Sequence, residues 1–344
     1  MKALVNPLNH IAYSSFYIYA LGKVLGKDNV RFSRRPFRCL TMGAQRSNGL
    51  LFVLQNGETE KKYYIFSGDT WKIDEEIYQW CDVYASVNAN FQKTPGREKL
   101  ISLAPSFGIC CWTKTELLLK ACANGIRYIS CHGNKLKTFL GSYKRLLNRP
   151  SYEEMTYKPG EDDYIFFCST LWYNDEWNQN DSKVNARRAN FIRACKSKDG
   201  IAFEGGFVVQ EGRSSVDLFK DCLSEKSYPY IEWRQKTNRS ALVFNTPAFW
   251  DCHGWKLGEY LALGKAIISS PLSNDLPFPL EHGKNIHFVE DCSEESLSKA
   301  IRYILDHPDY RKQLERGARA YWEEYGTPQK SLEIIGISLL SNLE

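Results

Sequence analysis

Between Asp251 and Glu259 the chain strings together residue types suited to gripping a phosphorylated ligand. The polar loop Asp251-Cys252-His253-Gly254 feeds a helical run that opens at Trp255. A helix N-terminus offers unpaired N–H groups and partial positive charge, which suits a phosphate. Gly254 lacks a Cβ, so a ligand can approach the backbone closely. Lys256 in the first turn opposes the usual preference for acidic residues there, a placement that makes sense beside an anion. Glu259, one turn on, shares a face with Trp255 and Lys256 and is placed to accept hydrogen bonds from sugar hydroxyls. Bland alternatives stand beside each of these. Glu259 fits a solvated helix glutamate equally, and His253 fits a loop residue with only a capping role.

Other residues could complete such a site. Lys183 and Arg187 stand on a basic helix at residues 182–195 and, taken alone, decorate a solvated helix face. His10 and Asp69 (in Ser-Gly-Asp-Thr) lie in loops after strand-like runs, where either could serve as an acceptor-side base; a loop aspartate more often caps a turn. No metal site is expected: no Cys-x-x-Cys occurs, and the Cys-His pairs at 131–132 and 252–253 lack zinc-ligand spacing. The eleven cysteines read as reduced, buried thiols rather than disulfides. Trp71, Trp80, Trp172 and Trp177 read as core or rim, with one or two free to stack on sugar rings.

These residues need a scaffold, and 344 residues exceed what one hydrophobic core usually supports. Strand-like runs at 2–6, 30–33, 50–54, 63–66, 83–87 and 100–103 alternate with helical stretches at 11–25, 74–80 and 113–123. The last carries a Thr113/Glu116 capping box. A Pro-, Lys- and acid-rich stretch at 149–163 reads as a linker. A second series follows: strands at 164–168, 201–203, 241–245, 266–269 and 286–289, and helices at 182–195, 214–222, 255–263, 293–306 and 309–325. Such alternation indicates parallel α/β sheets. A ligand crevice is expected at the carboxyl ends of the strands.

The segment from Ala241 to Phe288 resembles the donor-binding half of GT-B glycosyltransferases, the group 1 (glycosyltransferase family 4-like) superfamily. Asp251 and Glu259 have that family's acidic-x7-Glu spacing, with Asp in the first place. The run from Glu259 to Ser269 matches the helix and strand that follow, and residues 280–285 its short pre-strand turn. The resemblance covers about residues 160–325. It implies two Rossmann-like domains facing across a cleft: an acceptor-side domain at 1–150, a donor domain at 160–325 and a tail at 326–344 packing back on the first. It implies that Glu259 holds the nucleotide ribose, that Asp251 and His253 touch the transferred sugar, and that Gly254 and Trp255 hold the diphosphate through their backbone. Lys183 and Arg187 would assist. Neither cofactor nor metal is expected.

Charge bears on partners. Residues 1–150 hold 22 Lys and Arg against 10 Asp and Glu, while the remainder holds 23 against 30. An asymmetry of this kind points one half toward something anionic, or marks only a solvated basic face. The rival to a glycan-assembling transferase is a nucleic-acid or anionic-surface binder, but no helix-turn-helix, RRM or KH signature is present. A second rival is a GT-B-like sugar-phosphate enzyme such as an epimerase or a phosphorylase, though no motif identifies the lysine a phosphorylase needs for pyridoxal phosphate. The expected partners are thus a nucleotide-sugar donor, a glycan or lipid-linked acceptor and an anionic membrane surface, with no nucleic acid. The opening residues are too soon interrupted for a signal peptide. No apolar run is long enough to span a bilayer. The expected location is cytoplasmic, peripheral at the inner face of the membrane.

Overall fold

The computed structural model describes residues 1–46, 48–130, 135–172, 180–209 and 217–338. Cys131, His132 and Trp177, singled out above, lie outside the described residues, as does the start of the expected helix at 214–222. The chain is α/β and divides into two compact units. One comprises Met1–Met155, Asn274–Phe278 and the chain from Glu324 onward; the other comprises Thr156–Ser273 and Pro279–Glu323.

In unit 1 the elements run β1 (Lys2–Val5), α1 (Ile11–Leu25), β2 (Val30–Phe32), α2 (Met42–Gln45), β3 (Gly49–Asn56), β4 (Thr59–Phe66), α3 (Glu75–Trp80), β5 (Val83–Ser86), β6 (Leu100–Ser102), α4 (Lys114–Ile129) and α5 (Leu136–Leu146). The sheet order is β2-β1-β3-β4-β5-β6. It is parallel except for β3, which runs antiparallel to both β1 and β4. The parallel α/β sheet expected from the alternation is thus present with one antiparallel strand in it. No helix separates β3 from β4, so the chain can only turn back on itself. It does so at Asn56-Gly57, where Gly57 takes φ 60°, the left-handed backbone a tight hairpin needs. Phe37, Leu51, Val53, Tyr64, Ile77 and Tyr84 pack into one core on this sheet. The Thr113/Glu116 capping box forms as expected.

Unit 2 continues with β7 (Tyr164–Thr170), α6 (Asn180–Lys196), β8 (Ala202–Val208), α7 (Tyr230–Arg239), β9 (Val243–Asn245), α8 (Trp255–Ala262), β10 (Ile267–Ser269), β11 (His287–Phe288), α9 (Glu294–Asp306) and α10 (Pro308–Tyr321). The pairs β7–β8, β9–β10 and β10–β11 are all parallel. The starts of β7 and β9 are tied together: Ala241 N donates to Tyr164 O at 2.8 Å and Phe166 N to Ser240 Oγ at 2.9 Å. Their carboxyl ends therefore share one edge. Phe191 of α6 stacks on Phe244 of β9 with centroids 4.5 Å apart, inside a core that includes Ile165, Phe167, Ile268 and Ile301. After α10 a wide turn leads to α11 (Pro328–Ile334), which packs against α1 of unit 1. The described part of the expected helix at 214–222 is a 3-10 turn, Asp217–Cys222, broken at Phe219 by φ −128°.

One glycine tests how tightly unit 2 closes. A Cβ added at Gly317 of α10 would stand 2.0 Å from the Lys284 carbonyl oxygen, and backbone cannot step aside as a side-chain tip can. Gly317→Ala is expected to cost about 3 kcal/mol, a fall of roughly 6–12 °C in melting temperature. A calorimetric melt that matches wild type would show that α10 does not press on this turn.

Candidate functional site

The carboxyl edge shared by β7 and β9 is capped by the loop 246–254 and the N-terminus of α8. Gly254 is the N-cap, in extended conformation and without any side-chain cap, so the first N–H groups of α8 are not met by a capping side chain. A Cβ built on Gly254 would meet only the Ala248 Cβ, at 3.8 Å. The approach to this helix end is open to a ligand.

Two cations converge beside it. Lys256 Nζ donates to the Cys168 carbonyl at the end of β7, at 2.5 Å, and lies 5.1 Å from the centroid of the Phe167 ring. Arg188, 8% exposed, comes from α6 and donates through Nε to Thr246 Oγ1 at 3.0 Å. Lys256 keeps part of its surface exposed, yet protein surrounds its ammonium as densely as in the interior. Burial first, then the Arg188 guanidinium, pull its pKa down to about 8, against opposing pulls from Cys168 and Glu259. Two like charges held together in a poorly solvated place cost the fold free energy, and they suit an anion that would neutralise both.

Glu259 lies 3% exposed on α8, and its Oε1 accepts from the Tyr230 hydroxyl at 2.9 Å. The solvated-glutamate alternative is thereby ruled out: a buried carboxylate needs partners, and here Tyr230 supplies one. The neighbouring Tyr260 hydroxyl is pushed up by burial, with Glu259 adding to the shift. His253 is buried. Trp250 and Asp251 both take positive φ, 54° and 57°, in a turn closed by Ala248 N donating to Cys252 O at 2.7 Å. Two successive non-glycine residues in this region store strain of order 1–3 kcal/mol each. They set an exposed Asp251 at the tip of the loop.

Of the two basic residues expected from α6, Lys183 is exposed and Arg187 is half-buried, with its charge acting on Cys292. The side chain that α6 delivers beside Lys256 is Arg188, one residue further on. A signal for it existed. Arg188 shares its helix face with buried Asn185, Ile192 and Cys195, so it is a charge on a core-facing stripe. From the sequence no element is expected at residues 230–239, where α7 carries Tyr230.

A second cluster forms in unit 1. β1 and β4 both run antiparallel to β3, so His10 after β1 and Asp69 after β4 lie at the same sheet edge. His10 stands at the N-cap position of α1 without a side-chain cap bond, and its ring meets Tyr13 edge-on at 5.0 Å. Burial first, then Arg145, hold the imidazole below its usual range. Asp69 presents an exposed surface, yet the protein packed around it raises its carboxyl. Tyr13 is pushed up to about 12 by burial, then by Asp69, against an opposing pull from Arg145. Tyr13 thus lies beside both expected residues, and Arg145 acts on His10 and on Tyr13. Among the described residues no group of three or more His, Cys, Asp or Glu is arranged to hold a metal ion. The ten described cysteines are free thiols. No described helix is long and apolar enough to cross a membrane.

No family model and no curated protein matches the chain. Solved structures resemble it. A glycosyltransferase from Rickettsia africae is 14% identical, with 81% of this chain and 68% of that one covered, at a TM-score of 0.42. A mutant of S. aureus TarM in complex with fondaparinux, alpha-GlcNAc-glycerol and UDP is 9% identical over 80% of this chain and 50% of that one, at 0.45. The UDP-GlcNAc 2-epimerase of Neisseria meningitidis bound to UDP-GlcNAc is 10% identical over 76% and 62%, at 0.40. The chain spans half of that TarM chain, and 36% of another TarM structure that it resembles. The likeness is one of fold alone.

Proposed function

We propose that the protein is a glycosyltransferase of GT-B type, moving a sugar from a nucleotide-sugar to an acceptor hydroxyl in glycan assembly. The observation that carries this reading is the pairing of Lys256 and Arg188 beside the open N-terminus of α8. A diphosphate there would receive backbone N–H groups and two cations, the charge arrangement that stabilises a leaving nucleoside diphosphate. Glu259 accepts from the ribose hydroxyls, with Tyr230 orienting its carboxylate. Asp251 and His253 meet the sugar, the backbone of Gly254 and Trp255 meets the diphosphate, and Lys183 and Arg187 contribute long-range charge. His10 or Asp69 deprotonates the acceptor if transfer inverts the anomeric centre. Protein cations carry the diphosphate charge in this scheme, and turnover should survive EDTA; abolition by EDTA and rescue by Mn²⁺ would overturn it. The protein acts on the cytoplasmic side, in peripheral contact with an anionic membrane.

The direct test is a thermal-shift panel of UDP, GDP, ADP and CMP. One nucleoside diphosphate at about 100 times its Kd should stabilise the protein by about 2.7 kcal/mol, and a panel without any shift would sink the reading. Glu259→Gln separates the ribose contact from structure, since it keeps the shape and a partner for Tyr230. Loss of a charge-assisted hydrogen bond, about 1.5–3 kcal/mol, is expected to weaken nucleotide binding roughly 10- to 150-fold. Unchanged affinity would remove Glu259 from the site. Glu259→Ala is a poorer test, because it strands the Tyr230 hydroxyl and should lower the melting temperature.

A further inference from the structure

The helical hairpin of α4 and α5 in unit 1 buries one side and leaves another apolar side bare. Its inner face is well anchored. Tyr128 stacks on Phe139 with centroids 4.4 Å apart, and Asn124 Nδ2 donates to the Tyr143 hydroxyl at 3.0 Å. Gly125 lies against Leu140 and Leu136, where an added Cβ would stand 3.4 and 3.8 Å from them. The hairpin is attached through α5, which packs on α1, so the exposed apolar residues do not mark a loose element. Leu118, Cys122, Ile126 and Ile129 repeat at helical spacing along α4, and Leu136, Leu140 and Leu147 do so along α5 and its end. The two stripes converge on a groove of about 550 Å³. Leu118 is 64% exposed and Ile126 70%. Contiguous aliphatic surface of this kind is uncommon on a protein face that meets only water.

The basic balance of the hairpin, with Lys114 and Lys144 at the groove itself, chooses the occupant. Within the two helices stand six basic residues: Lys114, Lys120, Arg127, Lys137, Lys144 and Arg145. The one acidic residue there, Glu116, is engaged with Thr113 in the α4 cap. Lys114 and Lys144 themselves line the groove. An aliphatic stripe edged by cations matches an interface whose outer layer is anionic and whose inner layer is hydrocarbon. A second copy of the same face would set like charges against each other. From this we infer that the α4–α5 hairpin docks the protein on the anionic surface of a lipid bilayer, inserting Leu118, Ile126 and their neighbours below the headgroups. It names the surface for the membrane contact proposed above, and it stands or falls independently of nucleotide binding.

Co-sedimentation with vesicles tests it, using phosphatidylcholine alone and phosphatidylcholine with about one-third phosphatidylglycerol. Wild type should pellet with the anionic vesicles. It should keep a measurable part of that binding in about 0.5 M NaCl, where screening removes purely surface attraction. The double variant L118S/I126S should bind at least about tenfold more weakly and fall to background in the same salt. K137A/K144A should lose binding chiefly at low salt. Both should melt like wild type and keep the nucleotide-induced thermal shift, so a failure here is distinct from a failure of the nucleotide site. Wild-type protein that ignores both vesicle types would overturn the inference. So would L118S/I126S binding as tightly as wild type. A wild-type dimer in solution that L118S/I126S dissociates, without vesicle binding, would assign the face to a second copy instead.

Discussion

Lys256→Met should weaken binding of a nucleoside diphosphate by about 100-fold while leaving the melting temperature unchanged or higher. The loss follows from removing a charge-assisted contact in a poorly solvated site, at about 1.5–3 kcal/mol. The stability side follows from the depressed pKa. Lys256 titrates near 8 rather than at 10.5, so its charged form is disfavoured in the folded protein, first by burial and then by Arg188. That penalty is about 3 kcal/mol at most. The unfolded chain holds this proton more tightly, so the penalty is fully present below about pH 8 and fades as pH rises from 8 toward 10.5. Methionine matches the stem and removes the penalty. Against it stands the Cys168 carbonyl, which loses a donor at about 1–3 kcal/mol. The two terms roughly cancel, whereas a lysine retained for structure would cost several degrees when removed. A bound diphosphate should also raise the Lys256 pKa. Titration calorimetry near pH 8, in buffers of different ionisation enthalpy, should then report uptake of up to about half a proton, absent in the variant. An affinity within threefold of wild type, or a large drop in melting temperature, would make Lys256 a structural residue.

How much of this could be read in advance depends on whether the cause was local. The helix at Ile11–Leu25 and the caps at Thr113 and Ser293 are written in neighbouring residues, and they are legible. So was the loop-to-helix junction at Gly254, because glycine before a first-turn lysine is a local oddity. The β3–β4 hairpin was equally local, in Asn56-Gly57, but two strand-like runs inside an α/β rhythm invite a parallel reading. Helix α7 was missed because Trp233 and Thr237 bury among polar neighbours, leaving little apolar periodicity to detect. Arg188 was missed for a non-local reason. Its neighbour Arg187 is chemically identical, and only the phase of α6 against Phe244 and Thr246 decides which guanidinium reaches Lys256. The burial of Glu259 also depends on a residue 29 positions away, Tyr230, and no spacing rule joins them.

The unit 1 cluster carries the remaining large effect. If the protein transfers sugar with inversion, His10→Gln should lower kcat by about 10²–10⁴-fold and leave nucleoside diphosphate binding unchanged. His10 is the better base of the two because its environment keeps it neutral. Burial and the nearby Arg145 both lower its pKa, so the imidazole is free to accept a proton across the physiological range. Asp69 is moved the other way, its carboxyl raised by burial. Two groups pushed in opposite directions at one sheet edge is the pattern expected where one takes a proton and the other sets the field. The profile of kcat/KM against pH should therefore show an acid limb below the ordinary histidine value of 6.5. Arg145→Ala should move that limb upward, because one of the two lowering influences is gone. Asp69→Asn should cost less than His10→Gln and leave the limb in place. The assay is release of nucleoside diphosphate from the donor with and without an acceptor glycan, so that hydrolysis and transfer are counted separately. Should Asp69→Asn prove the costlier change, the base is the carboxylate, and His10 only packs against Tyr13 at the start of α1. Should neither change cost more than about tenfold, transfer needs no base from unit 1, as expected for a retaining reaction in which the leaving diphosphate itself takes the acceptor's proton.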